Sequence, residues 1–199
     1  DVSRAEGNPK TGEKWKVYGD GATYEREGRS GWGVWMHDGE EERQTEARLA
    51  GEQSNDGAEA RAILEALLMI HPEDDADIYC DNSGCISKWE KLTEGANPIA
   101  WGFRAVWLRI NGMMVARGRK GSRTAIHWIH SHVDDEERAS NNKSLLQCAC
   151  RTEEQTECDP EHEHHRGNAK ADERAGKGAE GPGEDDMDEA TRGEMWFIL

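Results

Sequence analysis

Three carboxylates, Asp20, Glu59 and Asp81, stand where a carboxylate has to be explained. Glu59 lies four, seven and eleven residues before Ile63, Ala66 and Ile70, which puts it on the apolar stripe of a predicted helix. An ionised group buried there without a partner is costly, so a cation or a hydrogen-bond donor should face it. Asp20 and Asp81 each close a predicted strand, one just before Gly21 and the other just before the turn at Asn82 to Gly84. In sheets with crossover connections, ligands gather at the carboxyl ends of strands. Taken singly, each acid has a plainer explanation: strand-end Asp residues start turns, and a Glu in a first helical turn suits the macrodipole. Taken together they would repel one another, and an all-oxygen ligand set suits Mg²⁺ or Mn²⁺. The chemistry expected is that of a hard-metal site.

Bringing these acids together requires an α/β domain. KWKVYGD alternates, with Trp15, Val17 and Gly19 on one side and Lys16, Tyr18 and Asp20 on the other, and reads as a first strand. Residues 31–39 and 43–52 follow as antiparallel strands, separated by Asp38, Gly39 and three glutamates. A helix is expected over 58–70, capped by Asn55 or Asp56 and stopped by Pro72. DADIYCDN (75–82) is a short strand and SGCISKWEKL (83–92) a helix, an order that implies a parallel crossover. Residues 97–118 read as helical with a weak point at Asn111 and Gly112, 124–133 as a strand and 167–180 as a final helix. The expected fold is a mixed five-stranded sheet, three strands antiparallel plus two parallel, flanked by helices.

A chain of 199 residues suits one such domain, here 15–180. Residues 1–14 read as a polar linker, 134–165 as an acidic Cys/His-containing insertion, and 181–199 as an acidic tail with an apolar end, MWFIL. The longest apolar run, ILEALLMI, is interrupted by Glu65, and no signal pattern opens the chain, so a soluble intracellular protein is expected. The start at Asp1 suggests a piece of a longer chain. Five cysteines, an odd number, do not make a secreted disulfide framework, and reduced thiols are expected. The net charge of -16 argues against unspecific nucleic-acid binding, but the acidity is uneven. Residues 134–199 carry -11, whereas 82–133 carry eight basic residues against Glu90 and Glu94. A local basic surface survives.

VYGDGA, SNDGAEARAILEAL, IYCDNSG, HWIHSHV and HRGNAKADERA resemble, in this order, the motifs of type 1 ribonuclease H, over residues 15–180. The resemblance implies four catalytic acids, Asp20, Glu59, Asp81 and Asp172, holding two divalent ions, with His132 as the mobile histidine after the fifth strand. It implies an endonuclease that cuts the RNA strand of RNA/DNA hybrids to leave 5′-phosphate and 3′-hydroxyl ends, without a covalent intermediate. Gln53 and Asn55 match positions that contact the hybrid in its minor groove. Asn82 stands beside Asp81 where a serine is more usual, and Trp89 is placed to stack near the nucleic-acid backbone or to join the core. The stretch from Lys91 to Pro98 is too short and acidic for the basic handle of some relatives, leaving Arg104, Arg109, Arg117, Arg119, Lys120 and Arg123 as substitutes. The polar extensions and irregular insertion suggest a retroelement polyprotein, partnered by domains such as a reverse transcriptase. The competing readings are an inactive scaffold of the same fold, which the intact acid set opposes, and a DNA-acting member such as a transposase.

The insertion raises a second metal question. Cys148, Cys150, Cys158 and His162, with His164 and His165 in reserve, could supply four soft ligands for zinc. Their spacing, C-x-C-x7-C-x3-H, is irregular for familiar structural sites, and on that ground a polar loop with incidental thiols is the favoured reading.

Overall fold

Alternation in WKVYGDGATY builds β1 (Trp15–Tyr24), and the alternation decides which helix each residue meets. In this computed structural model, which describes residues 14–132, 147–152, 155 and 157–182, odd-numbered Gly19 and Gly21 lie against α1 (Asn55–Met69). Even-numbered Tyr18 lies against the last helix, α4 (Glu163–Glu180). The linker before Lys14, the first part of the insertion and the tail with its MWFIL end lie outside the described residues.

β2 (Arg29–His37) pairs antiparallel with β1, placing Gly33 opposite Asp20, and β3 (Glu42–Arg48) pairs antiparallel with β2. β3 stops four residues short of its predicted end because the chain turns at Gly51, whose φ is +76°. Ser54, not Asn55 or Asp56, caps α1, its hydroxyl accepting from the Gly57 amide at 3.1 Å. The helix returns the chain to β4 (Ala76–Cys80), parallel to β1. α2 (Ser83–Thr93), a short 3₁₀ turn at Pro98–Ala100 and α3 (Arg104–Lys120) precede β5 (Thr124–Trp128), parallel to β4. The sheet order is β3-β2-β1-β4-β5, the mixed five-stranded arrangement that the sequence predicts.

Two layers of helix sit on one face. α1 is buried on every side from Gly57 to Leu67, not along one stripe, because α3 covers the side turned away from the sheet. The ring of Phe103, at the start of α3, fills the space a Cβ on Gly57 would need, 2.5 Å away. α3 runs unbroken through Asn111 and Gly112: Trp107 and Ile110 anchor it just before, and Gly112 faces open space, so only the intrinsic cost of about 1 kcal/mol is felt. Among the described residues no helix is long and apolar enough to cross a membrane.

Among the described residues the other face is covered by α4. Its contact surface is made of Gly167, Ala171, Ala175, Gly178 and Ala179, and opposite them β2 presents Gly31 and Gly33. Small residues on both sides let the helix axis come unusually close to the strands, which is how a helix so poor in large apolar residues is held.

Candidate active site

Asp20 is the sixth residue of β1 and only 5% exposed, with its carboxylate accepting from the Gly21 amide at 2.7 Å. Gly21 governs what comes next. A Cβ there would lie 2.7 Å from the Glu59 nitrogen and 2.8 Å from the Ala58 Cβ, so only glycine lets the start of α1 descend onto the strand. That approach delivers Glu59, 3% exposed, to Asp20, and a side-chain hydrogen bond joins the two. Asn55, one turn earlier, donates to Glu59 Oε1 at 3.3 Å, and Cys80 Sγ stands 4.0 Å from Oε2. The donor that a buried Glu59 demands is therefore an amide, not a cation.

Asp81 follows the last residue of β4, whereas β1 runs four residues past Asp20 to Tyr24, so Asp20 does not close its strand as the sequence predicts; the two acids lie side by side just beyond the last parallel pair, Tyr18 with Tyr79. Asn168 of α4 donates to Asp81 Oδ2 at 3.3 Å. Asp172, one turn further along the helix, is exposed and lines an open cleft with His130, His132, His165 and Asn168. Four acids from four elements thus meet at one edge of the sheet.

Their electrostatics are self-opposing. Burial first, then the charges of Asp81 and Asp172, push the Asp20 carboxyl well above the usual range. Burial first, then Asp20 and Asp81, does the same to Glu59. Asp81 is also raised by burial, against which the bond from Asn168 and the nearby His132 pull down. Oxygen donors that repel one another in a desolvated edge fit hard divalent cations, and Asp20, Glu59, Asp81 and Asp172 are the residues that would hold them.

The family model for RNase H matches residues 12–180. The chain belongs to the RNase H family. Ribonuclease H activity and a dependence on divalent metal come with that membership. No curated protein sequence matches the chain. Among solved structures it is similar to the N-terminal RNase H domain of rv2228c from Mycobacterium tuberculosis, solved as a fusion with maltose binding protein. The TM-score there is 0.50 at 13% identity, over 84% of this chain and 94% of that one. It is also similar to RNase H1 from the halophilic archaeon Halobacterium salinarum NRC-1 (TM-score 0.44, 18% identity, 58% of this chain and 85% of that one). A third likeness is to LC11-RNase H1 in complex with RNA/DNA hybrid (TM-score 0.44, 17% identity, 58% and 85%).

Within this RNase H domain the remaining predicted residues divide. His132 reaches the cleft from the segment after β5, in the left-handed conformation with φ 51°, close enough for its charge to act on Asp81. Asn55 is exposed at the mouth of the acid cluster. Gln53 is turned inward: its amide donates to the Leu49 and Gly51 carbonyls at 2.7 and 2.9 Å and accepts from the Ser30 amide at 2.7 Å. Asn82 caps α2 by accepting from the Cys85 amide at 3.1 Å. Trp89 is 3% exposed and belongs to the core, which removes the stacking role.

The basic substitutes are also redistributed. Arg117 is buried, bonding the His71 carbonyl at 3.0 Å and Thr124 Oγ1 at 2.9 Å, so it ties α3 to β5 and does not face solvent. Arg119, Lys120 and Arg123 lie with it at the amino end of the parallel strands, the opposite end from the acids. The length of α3, about 25 Å, separates them from Arg104. Arg104 begins that helix beside the start of α1, on the acids' side.

Sequence reasoning missed Asn168 and Cys80. Asn168 precedes Asp172 by one helical turn within GNAKAD, a spacing that marks a shared face. For Cys80 the sequence carries no signal beyond its place before Asp81.

Proposed function

We propose that the chain is an endoribonuclease that hydrolyses the RNA strand of RNA/DNA hybrids, with Asp20, Glu59, Asp81 and Asp172 holding two divalent ions. The observation that carries this reading is the convergence of four carboxylates at one end of the central strands, where burial and neighbouring carboxylates raise the cost of ionising Asp20, Glu59 and Asp81. When bound, a pair of Mg²⁺ or Mn²⁺ ions would supply the positive charge that offsets this repulsion and the phosphate's own charge in an in-line displacement.

The chain's own residues have separable tasks. Gly21 and Gly33 set how close the two acid-bearing helices come to Asp20. Asn168 fixes the rotamer of Asp81, and Asn55 that of Glu59. His132, in the cleft with Asp172, is placed to give a proton to the departing 3′ oxygen, yielding 3′-hydroxyl and 5′-phosphate ends. Asn55, exposed beside the acids, can donate to groups in the hybrid's minor groove, where 2′-hydroxyls distinguish RNA from DNA.

The test is cleavage of labelled RNA/DNA hybrid, RNA duplex and DNA duplex with Mg²⁺ or Mn²⁺, comparing the chain with Asp81→Asn. Hybrid-selective cleavage lost in the variant is expected. Cleavage surviving Asp81→Asn would refute the metal assignment, and inertness towards every substrate would favour a scaffold of this fold.

A further inference from the structure

The segment joining β5 to α4 is polar and acidic, yet three of its thiols and one imidazole converge. Cys148 is fully buried, Cys150 and His165 nearly so, and Cys158 partly. Cys150 Sγ lies 3.2 Å from Cys148 Sγ, and His165 Nε2 lies 2.9 Å from Cys150 Sγ and 4.0 Å from Cys148 Sγ. All four ligand atoms, with Cys158 Sγ, fall within 4.8 Å of one another, and all the cysteines are free. Tetrahedral zinc, with Zn–S of about 2.3 Å and Zn–N of about 2.0–2.1 Å, requires ligand atoms about 3.5–3.8 Å apart. The observed separations straddle that value, so small rotations of the side chains suffice.

We infer that Cys148, Cys150, Cys158 and His165 form a closed structural zinc site that fastens the start of α4 to the end of β5. Three soft sulfurs and one imidazole select zinc over the hard cations suited to the acid cluster. The surroundings are built for a thiolate: the His130 amide donates to Cys148 Sγ at 3.2 Å, and the Ala149 amide bonds the Trp128 carbonyl at 2.9 Å, tying the Cys-x-Cys turn to β5. A polar loop with incidental thiols, the reading that the irregular spacing favours, leaves this convergence without a cause.

The fourth ligand is His165, not His162. The helix starts at Glu163, four residues earlier than predicted, and His162 is spent as its N-cap, accepting from the His164 amide at 3.2 Å. The early start places His165 in the first turn, where it faces the cysteines. Asn168 and Asp172 lie three and seven residues further along the same helix, so the ion would fix the register of the helix that carries both. The inference stands on these four residues and is independent of the catalytic reading.

The test uses the full chain, produced with zinc in the medium and purified under reducing conditions through a wash in excess Mg²⁺ to clear the carboxylates. Expected are one zinc per chain by elemental analysis and, after replacement by Co²⁺, an intense thiolate-to-cobalt charge-transfer band with tetrahedral ligand-field absorption. Cys158→Ser and His165→Ala should each weaken zinc binding at least about tenfold. His162→Ala and Asp20→Asn should leave it intact. Zinc well below one per chain, a cobalt spectrum without the thiolate band, a Cys148–Cys150 disulfide in the reduced preparation, or zinc unaffected by His165→Ala would each overturn the assignment. Should the variants fail to fold, the zinc ratio and the cobalt spectrum of the unaltered chain decide alone.

Discussion

Asp20 and Gly33 face each other across the β1–β2 ladder, and the side chain that Gly33 lacks is the space through which α4 reaches the acid. A Cβ at Gly33 would lie 2.3 Å from the Ala175 nitrogen and 2.6 Å from the Ala171 carbonyl oxygen, both backbone atoms that cannot rotate away. Gly33→Ala must therefore push the helix off the sheet, and Asp172 follows Ala171 directly. The expected result is a loss of about 2–3 kcal/mol in stability. Hybrid cleavage should fall roughly a hundredfold through displacement of the fourth acid. Urea unfolding and single-turnover cleavage measure the two effects, and unchanged cleavage in a folded variant would detach Asp172 from the reaction.

Asn168 offers a milder perturbation of the same edge. Its bond to Asp81 orients a carboxylate without touching substrate, so Asn168→Ala should lower kcat roughly 10–100-fold with little change in KM for the hybrid. The Mg²⁺ concentration for half-maximal rate should rise in parallel. A variant that loses hybrid affinity instead, with kcat preserved, would mean that Asn168 contacts nucleic acid.

Arg117 separates charge from function. Its guanidinium donates to the His71 and Asp74 carbonyls and to the Thr124 hydroxyl, and truncation takes the donor from these part-buried groups. Arg117→Ala should cost about 2–4 kcal/mol. In conditions where the variant remains folded, hybrid affinity and its salt dependence should match the parent. A flattened salt dependence would instead count Arg117 among the phosphate contacts.

These cases show what the residues disclosed in advance. The alternation of β1 was legible as two sets, Trp15, Val17 and Gly19 against Lys16, Tyr18 and Asp20, but the burial of both was not: Tyr18 and Asp20 are covered by α4, a helix about 150 residues away in sequence. Glu59 was legible as an acid on an apolar stripe. Arg117 carried the same kind of signal, seven residues after Ile110 and ten after Trp107, yet positive charge on a helix reads as solvated until a neighbour with free carbonyls is known. His165 was misplaced by a helix boundary: polar residues Glu163 to Arg166 give no periodicity, and the turn they form is fixed by the His162 cap, a residue type that does not announce a cap, and by packing on Tyr18, which is remote in sequence. Gln53 could be matched to a motif position, but which way its amide points depends on the carbonyls of the Leu49–Gly51 turn.

The acid cluster makes a prediction about pH that needs no substrate. Asp20 and Glu59 have folded-state pKa values raised well above those of the unfolded chain, by burial first and then by neighbouring carboxylates, Asp81 and Asp172 for Asp20 and Asp20 and Asp81 for Glu59. Between the unfolded and folded pKa values the folded protein holds more protons, so stability falls as pH rises through that window and recovers as pH drops. The direction is opposite to that of a salt-bridged carboxylate. Asp20→Asn removes one member of the cluster at nearly constant shape, and in Mg²⁺-free buffer at pH 8 it should stabilise the protein by about 1–2 kcal/mol, at the expense of all cleavage. For a chain of this size the melting temperature rises by roughly 3–6 °C. At pH 5 the cluster of the parent is more protonated than at pH 8, and the difference between variant and parent should shrink. Saturating Mg²⁺ at pH 8 should raise the melting temperature of the parent more than that of the variant, because only the parent offers the complete set of acids. Thermal melts of both proteins at the two pH values, with and without Mg²⁺, measure all of this. A variant less stable than its parent at pH 8 would show that Asp20 is compensated by partners other than a cation.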